Sequence, residues 1–152
     1  MTRDGQHIIS GSYDGLVKVW SVTYKNLVST CNGHAGSVHA VAATPDGQRI
    51  LSGSGGKTVR VWLLDGTLEN TFELHTRNVI ALAALPDNQH ALSASADRTV
   101  KLFNVNDGTV LHTFTHHTAQ VRCLALLPDG LRFVSGSFDR TARIVYHGLA
   151  PK

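Results

Sequence analysis

Four ten-residue stretches recur along this chain at intervals of 42, 41 and 42 residues: Gly11 through Trp20, Gly53 through Trp62, Ala94 through Phe103, and Gly136 through Val145. The turns upstream keep the same spacing, as Asp4-Gly5, Pro45-Asp46-Gly47, Pro86-Asp87-Asn88 and Pro128-Asp129-Gly130. Two unrelated signals sharing one period mean that the repeated unit is a piece of architecture. A unit of this size cannot bury both its faces alone and has to stack on its neighbours.

Within each unit, apolar and β-branched runs alternate with Gly, Pro and Asp turn signals, and no helix-length pattern intervenes. In the second unit the predicted strands are 38–43, 48–54, 58–64 and 67–74. The Pro-Asp-Gly turns supply a fixed φ, a side-chain acceptor and a residue tolerant of positive φ, which suits a hairpin between the first and second strands. The innermost strands, Val38–Ala43, Val79–Ala84 and Val121–Leu126, are nearly all small or aliphatic, and such strands are expected to face protein on both sides. Four short strands in about 40 to 45 residues read as a propeller blade. The expected fold is therefore all-β, a partial β-propeller of four-stranded antiparallel blades. Its units are 1–32 (incomplete), 33–74, 75–116 and 117–152 (incomplete). The strand count of three, four, four and three predicts an open arc with exposed edges. Either the chain is a piece of a longer protein, or a second chain completes the ring; the fragment reading is favoured because joining the two ends leaves both junction blades incomplete.

Hydrophobic residues make up 42% of the chain, enough for a substantial core. The longest apolar run, Val79 to Leu85, is far short of the roughly 18 residues that a membrane helix needs. The opening Met1-Thr2-Arg3-Asp4-Gly5-Gln6-His7 lacks the apolar stretch of a secretory leader, so a cytoplasmic or nuclear location and no membrane partner are expected. Cys31 and Cys123, 92 residues apart, give neither a disulfide framework nor metal-ligand spacing, and both are expected to be buried thiols. The net charge is +3 without a cationic run, which argues against nucleic acid as a partner. Lys18, Arg60, Lys101 and Arg143 recur at one position per unit. Their aliphatic stems are expected to pack between sheets while the charged ends reach water.

Gly33-His34, Leu51-Ser52-Gly53-Ser54 and Val59-Arg60-Val61-Trp62 resemble the WD-repeat family of β-propellers, and the likeness covers essentially the whole chain. The resemblance implies a hydrogen-bond network in each blade among an opening His, a second-strand Ser, the Asp of the following turn and a third-strand Trp. Carried over, the Ser positions are Ser10, Ser52, Ser93 and Ser135, and the Asp positions are Asp14, Asp97 and Asp139, with Gly56 in the remaining unit. The His positions are His34, His75 and His117, and the Trp positions are Trp20 and Trp62, replaced later by Phe103 and Val145. No unit holds all four members. Phe103 and Val145 have no indole N–H, so their blades should rely on packing, with His75 and His117 satisfied by Ser and Asp and water filling the gap.

Three other patterns imitate chemistry. Ser, His and Asp together are the inventory of a hydrolase triad. These Ser residues lie within strands, however, with no Gly-x-Ser-x-Gly elbow around them. The stretch Ser52 to Thr58 ends like a phosphate-binding loop, but Leu51 stands where the first Gly is required and a strand follows instead of a helix. His112, His116 and His117 suggest a metal cluster, yet neighbours in a strand point to opposite faces and no Cys or carboxylate stands at ligand spacing. No catalytic residue, metal or cofactor is expected.

In the family, partners commonly contact three positions per blade on the face carrying the turns between second and third strands. Carried over, these are Tyr13, Gly55, Ala96 and Phe138; Ser37, Asn78 and Gln120; and His39, Ile80 and Arg122. Aromatic and Arg side chains dominate interface energetics, so Tyr13, Phe138, Arg122 and His39 are the expected contacts, with Asn78 and Gln120 beside them. The resemblance implies a non-enzymatic scaffold that binds proteins or peptides. Alternatives within it are a substrate-recruiting adaptor of a ubiquitin ligase and the sensor region of a larger signalling ATPase or kinase.

Overall fold

The structure, a computed structural model, describes residues 1–149; the end of the fourth expected unit, 150–152, lies outside the described residues. Among the described residues there are 14 strands and no helix. The first sheet contains β1 (His7–Gly11), β2 (Val17–Ser21) and β3 (Leu27–Cys31). The second contains β4 (Val38–Ala43), β5 (Arg49–Ser54), β6 (Val59–Leu63) and β7 (Leu68–Phe72). The third contains β8 (Val79–Ala84), β9 (His90–Ser95), β10 (Val100–Asn104) and β11 (Val110–Phe114). The last contains β12 (Val121–Leu126), β13 (Arg132–Ser137) and β14 (Ala142–Tyr146).

Each sheet is an antiparallel meander in chain order, and together they form a partial β-propeller. In the second blade β4 matches its predicted range and β5, β6 and β7 are one, two and three residues shorter than the sequence predicts, because strand ends close the turns: the Ser54 amide donates to the Thr58 carbonyl and the Leu63 amide to that of Thr67. The Pro-Asp-Gly turn closes as its chemistry requires. The Gly47 amide reaches the Thr44 carbonyl at 2.8 Å, Asp46 accepts the Gln48 amide, and Gly47 takes a φ of 72°.

The core is divided among the junctions between blades. Ile9, Val17, Val19 and Cys31 of the first blade meet Val38, Ile50 and Trp62 of the second. Leu51, Val59 and Val61 meet Val79, Ala91 and Phe103, and Leu92, Val100 and Leu102 meet Val121 and Phe133. Burying one such side chain stabilises by about 1.5–3 kcal/mol, so each blade's stability is supplied largely by its neighbours. The outer faces of the first and last blades have no such neighbour. Trp20 is 36% exposed where Trp62 is 1%, and Ile144 is 64% exposed where Val61 is 0%.

Two expectations are corrected by this stacking. The inner strands are half-exposed, because they line the axis of an open arc with no sheet beyond them; the most buried strands are the second ones, β5 and β9. Cys31 is buried as expected, and burial together with the nearby Asp65 carboxylate pushes its thiol up to about 11. Cys123 is exposed; it lies in the last of the four sheets found among the described residues.

Candidate functional site

The polar network forms between the opening loop and the second strand of each blade. In the second blade the Trp62 indole N–H donates to Ser52 Oγ at 2.7 Å, and His34 Nε2 lies 2.6 Å from the same oxygen. Gly56 supplies no carboxylate here, and Thr58 Oγ1 lies 3.3 Å from His34 Nδ1 instead. Burial and the Arg60 guanidinium lower His34 to about 4. In the third blade His75 bridges Asp97 and Ser93, both at 2.8 Å. In the fourth, His117 bridges Asp139 at 2.7 Å and Ser135 at 2.8 Å.

Burial pushes the Asp97 carboxyl up, but hydrogen bonds from His75 and Thr99 outweigh it and hold it well below the usual carboxylate range. Asp139 is held low by Thr141, His117 and backbone amides. In the first blade Trp20 donates to Ser10 at 3.1 Å, while Asp14 accepts the Leu16 amide and meets no histidine. Ser52, Ser93 and Ser135 are 0% exposed, and each set ties the opening loop of its blade to that blade's second strand, which satisfies the buried hydroxyls.

The fourth blade corrects the expected disposition of its histidines. His116 and His117 do not diverge; their Nε2 atoms lie 3.1 and 2.8 Å from the one oxygen of Ser135, because both residues lie in the loop before β12 rather than in a strand. The Asp139 carboxylate only accepts, so His117 Nδ1 donates to it, and His117 Nε2 lies against the Ser135 hydroxyl. The same hydroxyl also meets His116 Nε2. His116, which the sequence offered as part of an apparent metal cluster, fills the place of the missing indole, where water was expected. Among the described residues no group of three or more His, Cys, Asp or Glu side chains could hold a metal ion.

A second arrangement lies on the face bearing the β1–β2, β5–β6, β9–β10 and β13–β14 turns. In each of the last three blades the turn is tied to the opening loop by one backbone bond: Gly55 to Ser37, Ala96 to Asn78 and Phe138 to Gln120, at 2.8 to 3.0 Å. The inner strands β4, β8 and β12 each carry a bulge, after Val38, Val79 and Val121. The extra residue in each is His39, Ile80 or Arg122. A bulge re-aims the side chain of its unpaired residue, and all three side chains line one groove of about 440 Å³ together with Tyr13, Arg77, Asn78, Ala96 and Gln120.

Tyr13 of the first blade meets His39 of the second edge-on, with ring centroids 5.8 Å apart. Phe138 stands apart from this groove. It lines an adjoining depression of about 560 Å³ that shares Arg77, Ala96 and Gln120 with the first, and the Arg122 guanidinium lies 4.7 Å from its ring centre. Sequence reasoning missed Arg77, which borders both hollows; its signal was its place beside Asn78 in the opening loop.

The family described as WD40, "WD domain, G-beta repeat", matches this chain over residues 1–21, 25–62, 66–104 and 108–145. The WD40 β-propeller domain of Doa1, known from a crystal structure, is 35% identical with a TM-score of 0.85 over 93% of this chain, which spans 47% of that chain's length. WD40 propellers generally serve as scaffolds that bind other proteins or peptides, and they are typically non-enzymatic. With four repeats matched and the sheets stacked as blades, the chain belongs to the WD-repeat family of β-propellers.

Proposed function

We propose that this chain is a non-enzymatic protein-interaction scaffold whose contact surface is the turn-bearing face, with Tyr13, His39, Asn78, Gln120, Arg122 and Phe138 as its contact residues. The observation that carries this reading is the convergence of five of those six, from three or more blades, on one groove, with Phe138 and Tyr13 standing 63% and 83% exposed beside it. Large side chains held at a rigid rim bring contact area at little entropy cost. The burial of every Ser-His-Asp set supports the absence of turnover.

The test is capture of partner proteins by the immobilised chain from extract, identified by mass spectrometry. Tyr13→Ala with Phe138→Ala is expected to lower recovery of the bound set at least fivefold while the thermal midpoint stays in place. Unchanged recovery would remove the assignment.

A further inference from the structure

We infer that the groove between Tyr13, His39, Arg77, Asn78, Gln120 and Arg122 takes an acidic peptide, an extended segment presenting two or more carboxylates. This rests on the reading of the turn-bearing face as the contact surface and adds the chemistry of what it contacts.

The groove itself is one-sided in charge: Arg77 and Arg122 line it and, among the described residues, no carboxylate does, while the far side mixes carboxylates with Arg3, Lys25, Arg49 and Arg132. The turns between inner and second strands, together with those between third and fourth strands, carry Asp4, Asp46, Asp65, Asp87, Asp107 and Asp129 on one side. The opposite, groove-bearing side carries Lys57, Arg77, Arg98, Arg122 and Arg140, all exposed. Of the carboxylates on that side, Asp97 and Asp139 accept from His75 and His117 and from the Thr76 and Thr118 amides, Asp14 accepts the Leu16 amide, and neither Asp14 nor Glu73 lines the groove. Among the described residues no carboxylate forms an ion pair with any of those five cations. An arc of unpaired cations around a concave site favours and steers a negatively charged partner.

A second observation is conformational. Lys57, Arg98 and Arg140 occupy one equivalent turn position at φ values of 68°, 77° and 67°, where the first blade has Gly15 at 84°. A long side chain is disfavoured in that left-handed region, and the first blade makes the same turn with glycine. Lys25 and Asn88 take the same region in turns on the far side, at φ 52° and 59°; what distinguishes the groove-bearing rim is that all three of its non-glycine occupants are cations.

The form of the partner follows from the groove's other groups. The Asn78 and Gln120 amides each donate and accept, as pairing with a peptide backbone requires. The two exposed aromatic rings stand in separate hollows and do not form a continuous platform on which successive bases stack. The cations stand one or two to a blade around an arc, and do not track a continuous phosphate backbone.

The test uses the full chain and fluorescence anisotropy with a labelled dodecapeptide of alternating Glu and Ser around a central Leu. Its Gln-for-Glu counterpart, a 12-mer of uridine and vesicles of four parts phosphatidylcholine to one of phosphatidylserine serve as comparisons. The acidic peptide is expected to bind at least tenfold tighter than the Gln peptide and to weaken at least fivefold between 50 and 300 mM NaCl. Arg77→Ala and Arg122→Ala should each weaken it at least threefold, and Lys25→Ala on the far side should not. Arg98→Gly separates charge from folding, since it should weaken binding without lowering the thermal midpoint. Equal binding of the two peptides, no binding of either, or tighter binding of the RNA or vesicles would each overturn the inference. Partner capture that depends on Tyr13 and Phe138 but is indifferent to Arg77→Ala would overturn this inference while leaving the scaffold reading intact.

Discussion

At the opening position of the blades, residue size trades against the third-strand anchor. Gly33 sits where a Cβ would collide with the Arg60 guanidinium stacked over Trp62. Leu74 packs in one cluster with the smaller Phe103, and His116 accompanies the still smaller Val145 and hydrogen-bonds Ser135. His116→Ala is therefore expected to cost about 0.5–1.5 kcal/mol in urea unfolding, the worth of one hydrogen bond. The double variant His116→Gly with Val145→Trp should be more stable than the sum of its single variants implies, by about 0.5–3 kcal/mol, because the pair restores the indole donor and its space together. Strict additivity would show the two positions to be uncoupled. The histidines also set a pH response. His34 is lowered to about 4, while in the unfolded chain it takes a proton near 6.5. Between those values the unfolded chain binds a proton that the fold refuses, so stability is full above the upper value and falls as pH drops toward the lower. The lowered Asp97 and Asp139 add a further loss below the ordinary carboxylate range. The urea midpoint should decline from pH 7 to pH 4, and more shallowly in His34→Gln; a flat wild-type profile would contradict this.

At the level of the element, the turn between second and third strands joins stability to function. Removing the side chain from its left-handed position relieves backbone strain by more than the unfolded-state entropy of glycine costs, so Arg98→Gly and Arg140→Gly should each stabilise by about 0.5–1 kcal/mol in urea unfolding. A loss of stability would mean that the arginines hold the turn through contacts. Such turns are legible in sequence because their chemistry is local: Asp97-Arg98-Thr99 closes on its own atoms, with the Thr99 amide donating to Asp97. The strand order was legible for the same reason, while the Trp62–Ser52 bond came from the family resemblance, and the hairpin holds those two residues in register. What was not legible depends on how one blade meets another or on a break in the ladder. Nothing in Val38-His39-Ala40 announces that the middle residue is the bulged one. The exposure of Cys123, in the last of the four sheets, is not announced by its neighbours, which are as apolar as those of a core strand. Lys57, Arg98 and Arg140 look scattered along the chain, and only the common orientation of the turns gathers them on one rim.

For the whole molecule, the matched repeats and the sheets are out of phase. The repeat 25–62 contains the third strand of the first sheet and the first three of the second, and 66–104 steps across the next junction in the same way. Each repeat therefore ties two blades together through the chain, and each junction holds its own apolar cluster. Stability in such a stack is a sum of blade terms and junction terms between neighbours, so the same substitution should cost different amounts according to whether its face is covered. Leu102 and Ile144 are equivalent positions in the third strands of adjacent blades, 1% and 64% exposed. Leu102→Ala removes side-chain volume from the cluster shared with Val121 and Phe133 and is expected to cost about 2–5 kcal/mol. Ile144→Ala in the same chain vacates a surface already open to water and should cost below about 1 kcal/mol. Urea unfolding of the two variants under identical conditions compares them directly. Equal losses would mean that the outer face of the fourth blade is covered in solution, and a concentration-dependent midpoint for the wild type but not for Ile144→Asp would identify the cover as a second copy of the chain.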